Sequence, residues 1–256
     1  MEIRDCTIVI PTRIESVQRL ENLCATIEHI LNCFEIGIQV LEASAFNNTF
    51  LQKLLPSTVK YTFIKDNDPV FYRTKYINKM AKSVSTSFIA VWDADVIISK
   101  EQMLSALESL RNREADIVFP YDGTFLDTTK IIRQMYMESR DIKILNQLKD
   151  FMYSIYGHNL RGGAFIANSG VYHCCGMENE AFYGWGPEDW ERCERWSNLG
   201  MRIKTTNGPL YHLSHDRDMN GRHNSLEQKR YTTYEKELTK YSSAEELVQK
   251  FNLHIS

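Results

Sequence analysis

No apolar run in the chain approaches the roughly 18 residues that a membrane-spanning helix needs. A basic excess is also missing: 30 Lys and Arg against 33 Asp and Glu give a net charge of −3 and a pI near 6.2. Nucleic acid is therefore not an expected partner, because proteins that bind it usually present a basic face. Low-complexity segments and internal repeats are absent. The six cysteines, at 6, 24, 33, 174, 175 and 193, include no Cys-x-x-Cys pair, and their scatter through apparent strands and helices excludes a disulfide framework. They read as reduced, mostly buried thiols. Met1 to Cys6 lead directly into a strand, with no basic leader or signal-type apolar segment. The expectation is a cytoplasmic protein.

What is present is ordinary for an enzyme: 43% hydrophobic and 25% charged residues over 256 positions, enough for one substantial core. Short β-branched runs alternate with helical patterns, which predicts an α/β fold with a largely parallel sheet. Thr7–Ile10 reads as the first strand, halted by Pro11-Thr12-Arg13, which leaves a hydroxyl and a guanidinium at the ligand edge. Ser16 can cap a helix carrying Val17, Leu20, Cys24, Ile27, Leu31 and Phe34. Strands follow at 36–41 and 59–64, a short helix at 50–55, a helix at 71–80, another at 100–110 and a strand at 116–120. Asp127 to Met152 reads as one long amphipathic helical region, with Ile131, Met135, Ile142, Leu145 and Met152 facing the core.

Four stretches carry chemistry. Ser87–Trp92 is a continuous apolar run, hence a buried strand, and it ends in Asp93-Ala94-Asp95. In open α/β sheets the carboxyl ends of strands face the ligand crevice, and hard oxygen donors there suit Mg²⁺ or Mn²⁺ carrying phosphates. Upstream, Arg73 and Asn78 lie on a helix where they can hold phosphate or base, or simply form a solvated basic face. Gly162 and Gly163 precede an apolar strand at 164–167, suiting a tight turn or close approach to a ligand. Gly184-Trp185-Gly186-Pro187-Glu188-Asp189 sets an indole between two glycines and two carboxylates in the first turn of a helix that runs to 198–199 and stops at Gly200. Finally, His212 and His215 can face one point as imidazole ligands. Residues 222–256 are polar and helical in pattern, with Ser243-x-x-Glu246 as a capping box. Basic residues interleaved with tyrosines there permit peripheral contact with a membrane surface, although a solvated packing helix is the simpler reading.

Taken in order, Phe71-x-Arg73-x-Lys75-x-x-Asn78, Trp92-Asp93-Ala94-Asp95, Gly184-Trp185-Gly186-x-Glu188-Asp189, and His212-x-x-His215 followed by Arg217-Asp218 resemble a GT-A-type glycosyltransferase, specifically the β-1,4-galactosyltransferase family. The resemblance covers most of residues 7–220. It implies a Rossmann-like single catalytic domain over 1–225, with a nucleotide-sugar half (1–122) and an acceptor and catalytic half (123–225), then a helical tail (226–256). It also implies a Mn²⁺-dependent (or Mg²⁺-dependent) inverting transfer of a hexose, galactose or N-acetylgalactosamine, from a UDP-sugar to a saccharide or lipid-linked saccharide acceptor.

Carried over, the resemblance gives Pro11, Thr12, Arg13 and Arg73 to the uridine diphosphate. Asp95 and His215 become metal ligands, and His212 stands where some members place methionine. Asp93 turns toward the donor, Trp185 becomes a platform between the sugars, Asp189 the base, and Glu188 a holder of hydroxyls; Gly162 and Gly163 admit the acceptor wall. Pro187 and Trp190 depart from the family, and both bear on the acceptor. The absence of an animal-type anchor fits a bacterial-type enzyme at the inner face of the membrane, building a surface polysaccharide. A retaining transferase on this scaffold and a non-catalytic sugar-nucleotide-binding protein are the alternatives. A nucleotidyltransferase would show a glycine-rich basic loop where Pro11-Thr12-Arg13 stands.

Overall fold

The computed structural model describes residues 1–47, 49–155, 161–216 and 219–253. The first half alternates as expected: β1 (Glu2–Thr12), α1 (Val17–Cys33), β2 (Glu35–Ser44), α2 (Phe50–Leu54), β3 (Val59–Lys65), α3 (Arg73–Ala81), β4 (Phe88–Trp92), β5 (Val96–Ile97), α4 (Lys100–Arg111) and β6 (Ile117–Phe119). Ser16 caps α1, its hydroxyl accepting from the Arg19 amide at 3.2 Å, which satisfies one of the helix's orphan donors. The five residues of β4 are all buried, as a strand covered on both faces requires.

Between residues 125 and 155 the chain departs from the expected long helix. It forms β7 (Phe125–Asp127), α5 (Lys130–Ser139), α6 (Ile142–Leu148), one 3₁₀ turn and β8 (Tyr153–Ser154). The break falls at Arg140, whose left-handed φ of 55° ends α5. Ile131 and Met135, expected in the core, are 74% and 41% exposed. Ile132, Tyr136 and Leu145 are buried instead. The pattern spaced by three and four was real, but the face of α5 that packs is one residue further round the helix.

The second half supplies β9 (Ala164–Asn168), α7 (Ser169–Cys174), α8 (Glu188–Asn198), β10 (Ile203–Thr205), β11 (Leu210–His212), α9 (Leu226–Tyr241) and α10 (Ala244–Phe251). The central seven-stranded sheet runs β10-β6-β9-β4-β1-β2-β3. All its pairings are parallel except those of β9, which is antiparallel to both neighbours. This is a GT-A, Rossmann-like α/β fold, a mostly parallel sheet flanked by helices, and strands from both halves of the chain build the sheet. A smaller sheet, β5-β11-β7-β8, stands beside it.

Two consequences position the site. Because β9 is reversed, its beginning meets the end of β4: Trp92 pairs with Ala164, and the Asp93 amide donates to the Gly163 carbonyl at 2.8 Å. Because β11 pairs antiparallel with β5, His212 lies opposite Val96, next to Asp95. At the C-terminus, Ser243 and Glu246 form the expected capping box. The six cysteines are free, and among the described residues no helix is long and apolar enough to cross a membrane.

Candidate active site

The loop after β4 and the end of β11 converge on one carboxylate oxygen. Asp95 Oδ2 lies 3.0 Å from His215 Nε2 and 3.6 Å from His212 Nε2, and the three potential ligand atoms lie within 4.8 Å of one another. Both rings are oriented by their other nitrogen. His212 Nδ1 lies 2.5 Å from Asp127 Oδ1, and His215 Nδ1 lies 2.9 Å from the Asp216 carbonyl. Carboxylate and carbonyl oxygens only accept, so each Nδ1 donates a proton to its oxygen partner and holds the ring with Nε2 facing Asp95, the orientation in which an outer hydrogen bond tunes histidine as a metal ligand. Burial alone would raise the Asp95 pKa, but the charge of His212 and the hydrogen bonds from His212 and His215 hold it well below the usual carboxylate range. For His212, burial is outweighed by Asp95 and Asp127, and its pKa is pushed up to about 9. A bound cation would take the place of that proton. By donor type, ring orientation and spacing, these residues fit a divalent metal.

A second polar cluster is built at the start of α8. Glu188 and Asp189 open the helix behind Pro187. Arg192, one turn on and buried, donates to Asp189 Oδ1 and to Glu178 Oε2, both at 2.6 Å. Asp189 Oδ2 faces Gly162 so closely that a Cβ there would come within 2.4 Å of it, so a side chain at 162 would displace the Asp189 carboxylate. Gly162 is fixed in turn by the Tyr121 hydroxyl, which donates to its carbonyl at 2.6 Å. Arg73 donates twice to Asp93 Oδ1, at 2.6 and 3.2 Å, and lies 3.9 Å from Glu188 Oε1. Burial opposes the Arg73 charge, yet Asp93, Asp189 and Glu188 outweigh it. Burial, followed by the Asp189 charge, pushes the Glu188 carboxyl up to about 8. Glu188 Oε2, Arg73 Nη1 and Arg192 Nε are buried with no hydrogen-bond partner, a costly state that invites polar groups from outside.

The two clusters share a cavity of about 450 Å³, lined also by Asp93, Gly163 and Trp185. Pro11, Thr12 and Arg13 line a smaller adjoining hollow with Asp93 and Asp95. Arg13 is largely committed elsewhere: it donates to the carbonyls of Ala43, Asp68 and Pro69 and to Asp66, over the face of Phe71. Asn78 reaches neither hollow. Its Nδ2 donates to the Glu178 carbonyl and Glu180 Oε1, and its Oδ1 accepts from the Glu178 amide. The amide is consumed in tying α3 to the 178–180 loop, so the expected nucleotide contact gives way to a structural one. Arg217 and Asp218 lie outside the described residues.

Several residues here escaped sequence reasoning. Asp127 is a single carboxylate in a three-residue strand, brought to His212 by the β7–β11 pairing. Arg19 lines both hollows, and its Nε is buried without a hydrogen-bond partner; its place one turn inside the capped helix behind Pro11-Thr12-Arg13 was the only signal. Asn220, His223, Thr233 and Lys236 bring the C-terminal segment into the cavity wall.

The mostly parallel sheet with one reversed strand, and with acidic and imidazole groups at its ligand edge, makes up a GT-A-type fold. The family described as the N-terminal domain of galactosyltransferase matches residues 143–216, a range that includes Gly162, Trp185, Asp189, His212 and His215. Among solved structures, the catalytic domain of Drosophila β1,4-galactosyltransferase 7, solved with xylobiose, is similar over 95% of this chain and 84% of its own, at 16% identity and a TM-score of 0.55. A mannosyltransferase from Pyrobaculum calidifontis, solved with GDP-Man and Mn²⁺, is similar over 83% of this chain at 13% identity and a TM-score of 0.51. The chain spans 58% of the mannosyltransferase's length. No curated protein matches the sequence.

Proposed function

We propose that the chain is a Mn²⁺-dependent inverting glycosyltransferase that moves a hexose, galactose or N-acetylgalactosamine, from a UDP-sugar to a saccharide acceptor. The observation that carries the reading is the meeting, in one cavity, of the Asp95-His212-His215 cluster with Asp189 and Trp185. Two imidazoles and one carboxylate favour Mn²⁺ over Mg²⁺, which prefers all-oxygen surroundings. When bound, the metal supplies charge neutralisation for the departing diphosphate.

The remaining roles belong to the chain. Asp93, held by Arg73, faces the donor sugar. Arg192 occupies Asp189 Oδ1, which leaves Oδ2 as the oxygen that receives the acceptor's hydroxyl proton. As that hydroxyl oxygen bonds to the anomeric carbon, the bond to the diphosphate oxygen breaks on the opposite face, so the configuration inverts. Glu188, protonated at neutral pH in the ligand-free protein because of its raised pKa, offers a hydrogen bond to a sugar hydroxyl. Trp185 gives the C–H face of a pyranose an apolar platform and sheds water from the reacting face.

The test is a screen of UDP-sugars and GDP-mannose for nucleotide release with and without Mn²⁺, followed by NMR of the transferred linkage. UDP-galactose or UDP-N-acetylgalactosamine should be consumed fastest, only with metal, and the product linkage should be inverted. Consumption of GDP-mannose alone would overturn the donor assignment, and a retained linkage would overturn the role of Asp189. Absence of metal-dependent release from every donor would leave a non-catalytic sugar-nucleotide-binding protein.

A further inference from the structure

Trp185 stands between two glycines, and a Gly-Trp-Gly turn has little intrinsic order. Glycine loses more backbone freedom on folding than any other residue, and Gly184 is held at a φ of +78°, where side chains are strained. An indole meant as a platform needs a tether from outside its own turn.

The start of α9 supplies one. Gln228 Nε2 donates to the Tyr183 carbonyl and to the Trp185 carbonyl, both at 2.8 Å, so one amide spans the turn on both sides of Gly184. The orientation of that amide is dictated by its surroundings. Its Oε1 accepts from the Asn224 amide at 2.8 Å, and the two carbonyls can only accept. Gln228 itself sits at a fixed point, because Ser225 caps α9 by accepting from the Gln228 amide at 3.0 Å. The helix also fits closely beneath the turn: a Cβ on Gly184 would meet Gln228 Nε2 at 3.3 Å, and one on Gly186 would meet Thr232 at 3.3 Å. His223, just before α9, stands edge-on to the Trp185 ring with centroids 4.8 Å apart.

We propose that Gln228 is a positioning residue for the acceptor platform, holding the Trp185 turn in the shape that receives an acceptor saccharide. The inference rests on the transferase reading above and makes α9 part of the acceptor machinery. Gln228 touches neither metal cluster nor carboxylate pair, so its effect falls on transfer and not on use of the donor.

Gln228→Glu is the sharp variant. It keeps the size of the side chain and an oxygen for the Asn224 amide, but sets a second acceptor against two carbonyls. Gln228→Ala removes the tether without that repulsion. For each, hydrogen exchange of peptides covering 182–187 is measured beside Mn²⁺-dependent donor hydrolysis and transfer to glucose, N-acetylglucosamine and xylose. Exchange at 182–187 should rise at least tenfold, with β4 unchanged. Transfer relative to hydrolysis should drop by a similar factor through a raised acceptor KM, more for Glu than for Ala, with hydrolysis itself preserved. Unchanged exchange in both variants would overturn the tether whatever the activity. Faster exchange with an unaltered transfer-to-hydrolysis ratio would overturn its role in acceptor binding. A wild-type protein without donor hydrolysis would instead refute the transferase reading, while the exchange data would still decide the tether.

Discussion

The metal corner and the carboxylate corner of the cavity are both buried and polar, yet they are finished to different degrees. Around Asp95, each histidine has its Nδ1 committed to an oxygen and its Nε2 turned to the same carboxylate. Around Glu188, three nitrogen and oxygen atoms are buried without hydrogen-bond partners, although Arg192 and Glu178 form an ion pair in which each side chain is only 1% exposed. The first corner brings three potential ligand atoms within 4.8 Å of one another, with both rings already oriented. The second carries unmet hydrogen-bonding capacity, which is useful where substrate hydroxyls must be gripped and costly where they are absent.

Asp189→Asn breaks the carboxylate corner most severely. It keeps the shape and a contact to Arg192 but removes the proposed base, so transfer should fall on the order of a thousandfold. Affinity for UDP with Mn²⁺, measured by calorimetry, should stay within a few-fold. Near wild-type transfer by the Asp189→Asn variant would exclude Asp189 from the proton step.

Asp127→Asn addresses the metal corner from behind. It weakens the hold on His212 Nδ1 while leaving Asp95, His212 and His215 in place, and Mn²⁺ affinity in the presence of UDP should drop roughly 10- to 100-fold. An unchanged Mn²⁺ titration would mean that His212 does not depend on Asp127 for its orientation.

A third effect is one of pH. The Glu188 carboxyl, ordinarily at 4.5, is raised to about 8 by burial and by Asp189, against the opposing pull of Arg73 and Arg192. The folded protein therefore binds the proton more tightly than the unfolded chain. Its contribution to stability is fully present below about pH 4.5 and is lost as the pH climbs to about 8. Melting temperatures of the ligand-free protein across roughly pH 5–8 should fall less steeply for Glu188→Gln than for wild type. Parallel slopes would show that Glu188 ionises in the fold as readily as in the unfolded chain.

The difference between the corners also separates what the sequence makes legible from what it hides. Asp93-Ala94-Asp95 is readable because a continuous apolar strand leads into it, and Trp185, Glu188 and Asp189 because glycines and a proline punctuate them. Asp127 carries no such context. It matters only because β7 and β11 pair across 85 residues, and pairing of that range is a property of the folded sheet. Asn78 shows the reverse failure: a polar residue at a suggestive spacing whose amide is consumed by a loop a hundred residues away. The long helix expected over 127–152 failed for a local reason, a left-handed Arg140 inside an otherwise helical pattern.

The reversed strand β9 bears on how the chain is made. Synthesis delivers the amino-terminal strands first, yet β6 takes both its neighbours, β9 and β10, from beyond residue 160, and one edge of β4 is filled by β9. Until β9 emerges from the ribosome, the growing chain carries an apolar β6 without strand partners and an open edge on β4, features that favour pairing with the wrong chain. The amino-terminal half is thus the first to be translated but cannot close its sheet until residues 203–205 arrive.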